Sequence, residues 1–228
     1  MSTEMPPSGK DPGINAKLQI LATEHWSLLA TRALTYNESL SRVTIFLTIL
    51  SGVIIALALV VQVSHFGAAF IAIAIPLLSV VVFIGISTIG RLMQLNGDDF
   101  RWVIGMNRLR HAYLDLHPEL ERYFITGLYD DLPGALQTIG YPSATGRRVG
   151  SVLHTLLVLP GMLSVIVASV VGAIGALGTL AIGLPPLDVI LAAAAAFVIA
   201  MVGLTAWGRR GLRRPDPSLE PRFPSPPR

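Results

Sequence analysis

VTIFLTILSGVIIALALVVQVSHFGAAFIAIAIPLLSVVVFIGISTIG, residues Val43–Gly90, contains no Asp, Glu, Lys or Arg. A helix rises about 1.5 Å per residue and the hydrocarbon layer is about 30 Å thick, so this stretch can cross a bilayer, turn and cross back. The turn falls at Ser64-His65-Phe66-Gly67 and divides the stretch into spans Val43–Val63 and Ala68–Ile89. A second uncharged run, Val149–Leu187, begins another hairpin. Its first span lies within Val149–Ile182, Gly183-Leu184-Pro185-Pro186 supplies the turn, and Val189–Gly208 forms the fourth span. The third run is longer than a crossing needs, so its helix is expected to tilt, to bend at Pro160 or to begin in the interface. Buried helices of water-soluble proteins rarely run so far without charge. The chain is therefore read as an integral membrane protein.

The charges lie at the ends of these spans. Arg42 precedes the first, Arg91 follows the second, Arg147 and Arg148 precede the third, and Arg209, Arg210, Arg213 and Arg214 follow the fourth. With four spans all seventeen Lys and Arg fall on one side, which predicts that this side is cytosolic and that both termini lie there. The N-terminus joins no basic region to an apolar stretch and does not read as a cleaved signal. The expected organisation is a flexible segment 1–14, a first membrane hairpin with helical extensions over 15–131 and a connector 132–148. A second membrane hairpin at 149–208 and a basic, Pro-rich cytosolic tail at 209–228 follow. That tail is expected to stay mostly flexible and to contact anionic lipid through Arg209, Arg210, Arg213 and Arg214.

Outside the membrane the pattern is amphipathic. Ala22, Trp26, Leu29, Ala33, Tyr36, Leu40, Val43, Leu47 and Leu50 recur at alternating four- and three-residue steps, keeping one stripe on one face of a helix that enters the bilayer. Such a helix from Ala16 to Val63 would run roughly 72 Å. Leu92, Leu95, Asp99, Trp102, Met106, Leu109, Tyr113, Leu116, Leu120 and Tyr123 keep the same spacing after span two. Two matching stripes predict an antiparallel cytosolic extension of the first hairpin, approximately Arg91–Leu116, with the stripes burying each other. A single helix lying on the membrane, with Trp102 and Tyr113 at the interface, is the alternative. Pro118 ends the helix, and His117 is a candidate cap for Pro118–Gly127. The fold class is all-α: a polytopic membrane protein with four transmembrane helices and a cytosolic antiparallel extension of the first hairpin.

Reactive chemistry finds little support. His111, Asp115, His117, Glu119 and Glu121 form the densest set of metal-ligating types, but Pro118 interrupts the helix and no two-histidine carboxylate pattern is completed. Asp98-Asp99 and Asp130-Asp131 are acidic pairs without an ion-binding loop around them. The chain has no cysteine, which excludes a thiol nucleophile and a disulfide framework. No serine-hydrolase elbow occurs, and Gly172, Gly175 and Gly178 lie in a membrane segment rather than in a nucleotide-binding turn. No catalytic, cofactor or metal residue is assigned. The pI near 9.6 reflects arginines at membrane edges, with no zinc-finger spacing or aromatic-basic module, so no specific nucleic acid is expected.

Within the spans the readable features are size and hydroxyls. Ala168, Gly172 and Ala176 place small residues on one face of the third span, a surface for close helix packing. The Ala-rich stretch Ala192–Ala196 of span four is the expected partner, with a contact between subunits as the alternative. Thr44, Thr48 and Ser51 share a weak polar stripe and are the pore-facing residues if the protein conducts. No acid or base sits in the span cores, which argues against proton- or ion-coupled carriage. Pro76 and Pro160 offer kinks.

Around Arg101-Trp102-Val103-Ile104-Gly105-Met106-Asn107-Arg108-Leu109-Arg110-His111-Ala112-Tyr113 the chain resembles a family of bacterial, especially actinobacterial, four-span membrane proteins. The resemblance extends over Glu24–Asp131 and brings no catalytic or ligand motif with it. It implies a multi-pass protein of the bacterial cytoplasmic membrane. A looser resemblance, to small two-span membrane effectors with cytosolic helices, stops before the third span. The functional expectation is an inner-membrane scaffold, sensor or effector that self-associates or binds a cytosolic protein. Its candidate helix-interaction surface comprises Ala22, Trp26, Leu29, Tyr36, Trp102, Met106, Leu109 and Tyr113. The alternatives are a homo-oligomeric ion or small-solute channel, and a transporter or accessory subunit of a membrane enzyme.

Overall fold

The structure, a computed structural model, describes residues 12–140, 158–212 and 219–226. Among the described residues it is all-helical: α1 (Pro12–Ser64), α2 (Ala68–Leu116), a 3₁₀ turn (Pro118–Tyr123), α3 (Leu132–Ile139), α4 (Leu159–Ala181) and α5 (Pro186–Leu212). The four long helices are each apolar and long enough to cross a membrane. Two compact units divide the fold. One gathers the described residues of Met1–Thr35, Asp98–Thr145 and Asp216–Arg228, and the other those of Tyr36–Gly97 and Gly146–Pro215.

The second unit holds the spans. Its core brings Phe46 of α1 together with Leu78, Val81, Ile89, Leu92 and Leu95 of α2, Leu163, Val167 and Val170 of α4, and Leu204 of α5. Gly85 opens the close approach, since a Cβ there would clash with Val167 and lie 3.0 Å from the Phe46 ring. Gly90 likewise receives the Trp207 ring. Exposed residues outside this core, such as Ile54, Ile55, Phe83, Ile199 and Val202, are as apolar as those within it. That distribution suits a bilayer, where helices gain from packing and close approach because lipid tails already solvate apolar side chains.

Turns fall where Gly, Pro and polar residues stand. Between α1 and α2 the Gly67 amide donates to Ser64 O (3.2 Å), and His65 takes a left-handed φ of 51°. After α4, Gly183 adopts φ 73°, the conformation a glycine enters without steric cost. The Pro160 expectation is corrected: Val158 is extended (φ −72°, ψ 154°) and α4 starts at Leu159, so Pro160 sits in the first turn instead of bending a longer helix. There its missing N–H removes a donor that would have no intrahelical partner. Residues 149–157, the expected start of the third span, lie outside the described residues. From Leu159 the 23 residues of α4 rise about 35 Å, enough for one crossing.

At its polar end this unit carries a three-membered ion cluster. Glu38 Oε1 accepts from Arg42 Nε (2.8 Å) and from Arg91 Nε (3.0 Å), and its Oε2 from Arg91 Nη2 (3.2 Å). All three side chains are more than a third exposed, so solvent screens the pairs and they add little to stability. The cluster brings the two arginines that mark the membrane edge onto one carboxylate.

Candidate functional site

In the first unit α1 and α2 run antiparallel. Arg32 of α1 pairs with Asp99 of α2 through Nε–Oδ1 (2.7 Å) and Nη2–Oδ2 (3.3 Å). One helical stretch further along, a Cβ on Gly105 would sit 3.1 Å from Leu28, and the His25 and Tyr113 rings lie 6.2 Å apart. Lys17, Ile20 and Leu21 face Ala112, Asp115 and Leu116 across a shallow groove of about 320 Å³ at the far end. Burial, reinforced by Arg110, lowers the His25 pKa. The expected antiparallel extension is present, but α1 presents a different face to it. Leu21, His25, Leu28 and Arg32 turn toward α2, whereas Ala22, Trp26 (71% exposed), Leu29 and Ala33 are exposed, as is Tyr36 (62%) further along α1. The Arg32–Asp99 pair and the notch at Gly105 select a face that apolar spacing alone does not. On α2 the expected residues are covered: Met106 is buried, and Trp102, Leu109 and Tyr113 are half-buried.

Asn107 organises the segment that follows. Its side chain is fully buried, and Nδ2 donates to Tyr129 O (2.8 Å) while Oδ1 accepts from Arg110 Nη1 (2.7 Å) and Thr138 Oγ1 (2.8 Å). The loop before α3 thus fastens to α2 by an amide with its donor and acceptor both used. Gly127 and Gly134 permit this, because a Cβ on Gly127 would collide with Gly134 O and one on Gly134 with Tyr129 O. The capping expectation for His117 is corrected: it makes no cap bond to the 3₁₀ turn, and its Nδ1 instead contacts Glu119 Oε1 at 3.0 Å.

Asp130 and Asp131 then form the most elaborate polar arrangement among the described residues. Asp131 is the N-cap of α3, its Oδ1 accepting from Gly134 N (2.9 Å). The same carboxylate takes Ser225 Oγ on Oδ1 and Ser225 N on Oδ2, both at 2.8 Å. Asp130, with no exposed side-chain surface, accepts Phe223 N on Oδ1 (2.8 Å), and on Oδ2 both Arg222 N (2.9 Å) and Arg108 Nε (2.7 Å). Its own N–H donates to Phe223 O (3.2 Å), and Arg108 Nη2 donates to Glu220 O (2.8 Å). The Phe223 ring stacks on His111 at 4.2 Å and 27°, and Leu219 packs on Val103, Ile104 and Ala135. Burial opposes ionisation of Asp130, but the Arg222 amide, the Arg108 guanidinium and the Phe223 amide outweigh it and hold the pKa below its ordinary value. Asp131 behaves alike, burial being outweighed by the Ser225 hydroxyl and amide and by the Gly134 amide.

The expectation of a flexible tail is therefore corrected for residues 219–226. Composition pointed to disorder, yet the N–H groups left between Pro221, Pro224 and Pro226 are those the two carboxylates accept. Proline content and basic charge do not disclose this site, because neither shows which backbone donors the prolines leave. The signal in the sequence is the adjacent pair Asp130-Asp131, of which a helix start at Leu132 needs only one as its cap.

Other sequence candidates are dispersed. His111 and Asp115 approach only to 3.9 Å, His117 pairs with Glu119, and Asp98 and Asp99 bond different arginines, 101 and 32. Among the described residues no group of three or more His, Cys, Asp or Glu gathers as metal ligands would. Thr44 and Thr48 are exposed on α1, their hydroxyls donating to Leu40 O (3.0 Å) and Thr44 O (2.9 Å); Ser51 is exposed on the same helix. Ala168 and Gly172 are buried in α4, where Cβ atoms on Gly172 and Gly175 would lie 3.0 Å from Ala193 O and from Ala196 Cβ. Ala176 is half-buried on the same helix. Arg209 is exposed at the end of α5, which also includes Arg210, while Arg213 and Arg214 lie outside the described residues.

Together these observations define an all-α, polytopic membrane protein with four candidate spans and short additional helices between the second and third. No protein-family model, curated protein or solved structure matches the chain.

Proposed function

We propose that the protein is a scaffold or effector of the bacterial cytoplasmic membrane that self-associates through the exposed face of α1. The observation that supports this most is the stripe Ala22, Trp26, Leu29 and Ala33. It keeps a coiled-coil spacing, lies in water-facing sequence, and is left uncovered while the neighbouring face of α1 is used against α2. Copies in one membrane share an orientation, so a two-fold axis along the membrane normal sets two α1 helices side by side and parallel. A parallel heptad seam needs that geometry. The basic distribution supports placing this surface, both termini and the clasped tail in the cytosol.

Because the chain lacks cysteine, single cysteines report the contact cleanly. Leu29→Cys in native membranes should give disulfide-linked dimers under mild oxidation, and Ser27→Cys, roughly half a turn away on the wheel, should not. Adding Trp26→Glu to Leu29→Cys should abolish the dimer. Monomer alone from Leu29→Cys, or equal linkage from both positions, refutes the proposal and leaves the stripe to the lipid surface or to another protein.

A further inference from the structure

The contacts of residues 219–226 have the form of peptide recognition. Every polar bond the segment makes to the two carboxylates comes from three main-chain N–H groups and one hydroxyl within 222–225. Pro221 and Pro224 have no N–H, so the backbone brings no unpaired donor into the contact, and their fixed φ lowers the entropy lost on docking. The receiving side is held by its own fold. Asp131 is oriented by the first turn of α3, Asp130 by Arg108, and His111 lies 6.0 Å from Tyr129 on one side while its ring receives Phe223 on the other. Main-chain pairing supplies affinity and the aromatic seat selects a side chain, the division of labour seen when extended peptides are bound.

We infer that the Asp130–Asp131 cradle is a peptide-binding site for short proline-flanked segments of the Arg-Phe-Pro-Ser type, occupied in cis by residues 222–225 and open to the same kind of segment on another polypeptide. Two carboxylates facing the backbone favour a ligand without acidic residues in that stretch, and a phosphate on its serine would face Asp131 directly. The tethered tail competes at an effective concentration of order mM, so a partner must bind tightly or arrive when the tail is displaced.

The test uses the full chain in nanodiscs and a labelled peptide, Leu-Glu-Pro-Arg-Phe-Pro-Ser-Pro, identical to residues 219–226. A chain carrying Phe223→Ala and Ser225→Ala has a disarmed tail and an intact cradle. It should bind the peptide saturably, and at least about tenfold more tightly than the unaltered chain, whose own tail competes. Adding Asp130→Asn and Asp131→Asn should remove saturable binding. His111→Ala in the disarmed chain should weaken binding roughly threefold to tenfold by removing the ring contact alone, and it decides the matter if the asparagine variant loses helicity. A peptide with alanine for its Phe and Ser, which keeps the main-chain donors and loses the ring and the hydroxyl, should bind at least about tenfold more weakly. The inference is overturned if the disarmed chain, with helicity intact, shows no saturable binding, if it binds no better than the unaltered chain, if binding survives loss of the carboxylates, or if loss of His111 leaves the affinity unchanged.

Discussion

Asp130→Asn isolates the charge of the cradle while keeping its shape. The amide retains one oxygen, and the less costly orientation leaves that oxygen where Oδ2 stands, facing Arg108 Nε and Arg222 N. Its NH₂ then points at the Phe223 amide, so a 2.8 Å hydrogen bond becomes a donor facing a donor. A hydrogen bond to a charged group is worth about 1.5–3 kcal/mol and a neutral one about 0.5–1.5 kcal/mol. Of the two tail bonds one is therefore lost outright and the Arg222 amide bond falls to the neutral range, while the Arg108 bond keeps its charged donor and loses only its ionic partner. Arg108 keeps a quarter of its side chain in water, which offsets part of that loss. Allowing also for non-additivity, we expect the docked tail to lose about 2–4 kcal/mol, a shift of roughly 30- to 700-fold in its opening equilibrium. Hydrogen exchange at the Arg222, Phe223 and Ser225 amides reads this directly, because those N–H groups are protected only while bonded to the carboxylates. Protection there should fall by at least about 30-fold, or vanish, while amides in the core of α4 stay unchanged. Protection that stays within about threefold of the unaltered chain would show that the carboxylates do not hold the tail.

Acid should release the same tail. Both aspartates have depressed native pKa values, so their contribution is fully present above the ordinary carboxylate pKa near 3.9, declines as pH falls through it, and is gone below the depressed native values. A fluorophore pair on Gln137→Cys and Pro226→Cys should report constant proximity from neutral pH to about 5, and separation near pH 6 would assign control to a histidine instead. In the second unit, Gly175→Leu should cost about 1–3 kcal/mol and lower the Tm, because a Cβ already meets Ala196 Cβ at 3.0 Å and Ala192 O at 3.2 Å. Gly178→Leu, with open space around its Cβ position, should leave the Tm nearly unchanged; equal effects would refute the α4–α5 packing. For orientation, a cysteine at His65, in the turn after α1, should react with an impermeant maleimide in intact cells and one at Ser225 should not, the reverse pattern placing the basic side outside.

What the sequence discloses depends on how many residues share in a signal. Val43–Gly90 repeats one statement, apolar and uncharged, at every position, and α1 and α2 follow it with the turn at Ser64–Gly67 as expected. Period alone also places the water-facing parts of these helices, but it leaves their rotation open. On α1 the apolar stripe through Trp26 and the face through Leu28 and Arg32 lie about a quarter turn apart, and a notch at Gly105 with a partner at Asp99 decides between them. Those are properties of α2, so no local pattern in α1 announces them. The tail lies further from local reach. Asp130 and Arg222 are 92 positions apart, and the contact is made by main-chain donors that any non-proline residue possesses.

The double use of Asp131 gives that distant contact a local consequence. One carboxylate oxygen accepts both the Gly134 amide that starts α3 and the Ser225 hydroxyl of the tail, so α3 and the tail draw on the same charge. With the tail docked, Asp131 is fixed in the rotamer that caps α3, and with α3 formed it is already aimed at the tail, so each lowers the entropy the other must lose. Thr138 of α3 in turn donates to Asn107, and Asn107 to the loop at Tyr129, so a peptide arriving at or leaving the cradle is linked to the fit of α3 against α2. His111 stands on that same helix, one turn after Asn107, under the Phe223 ring. Docking at the cradle and the packing of α3 against α2 therefore share Asn107, Asp131 and His111 within the first unit.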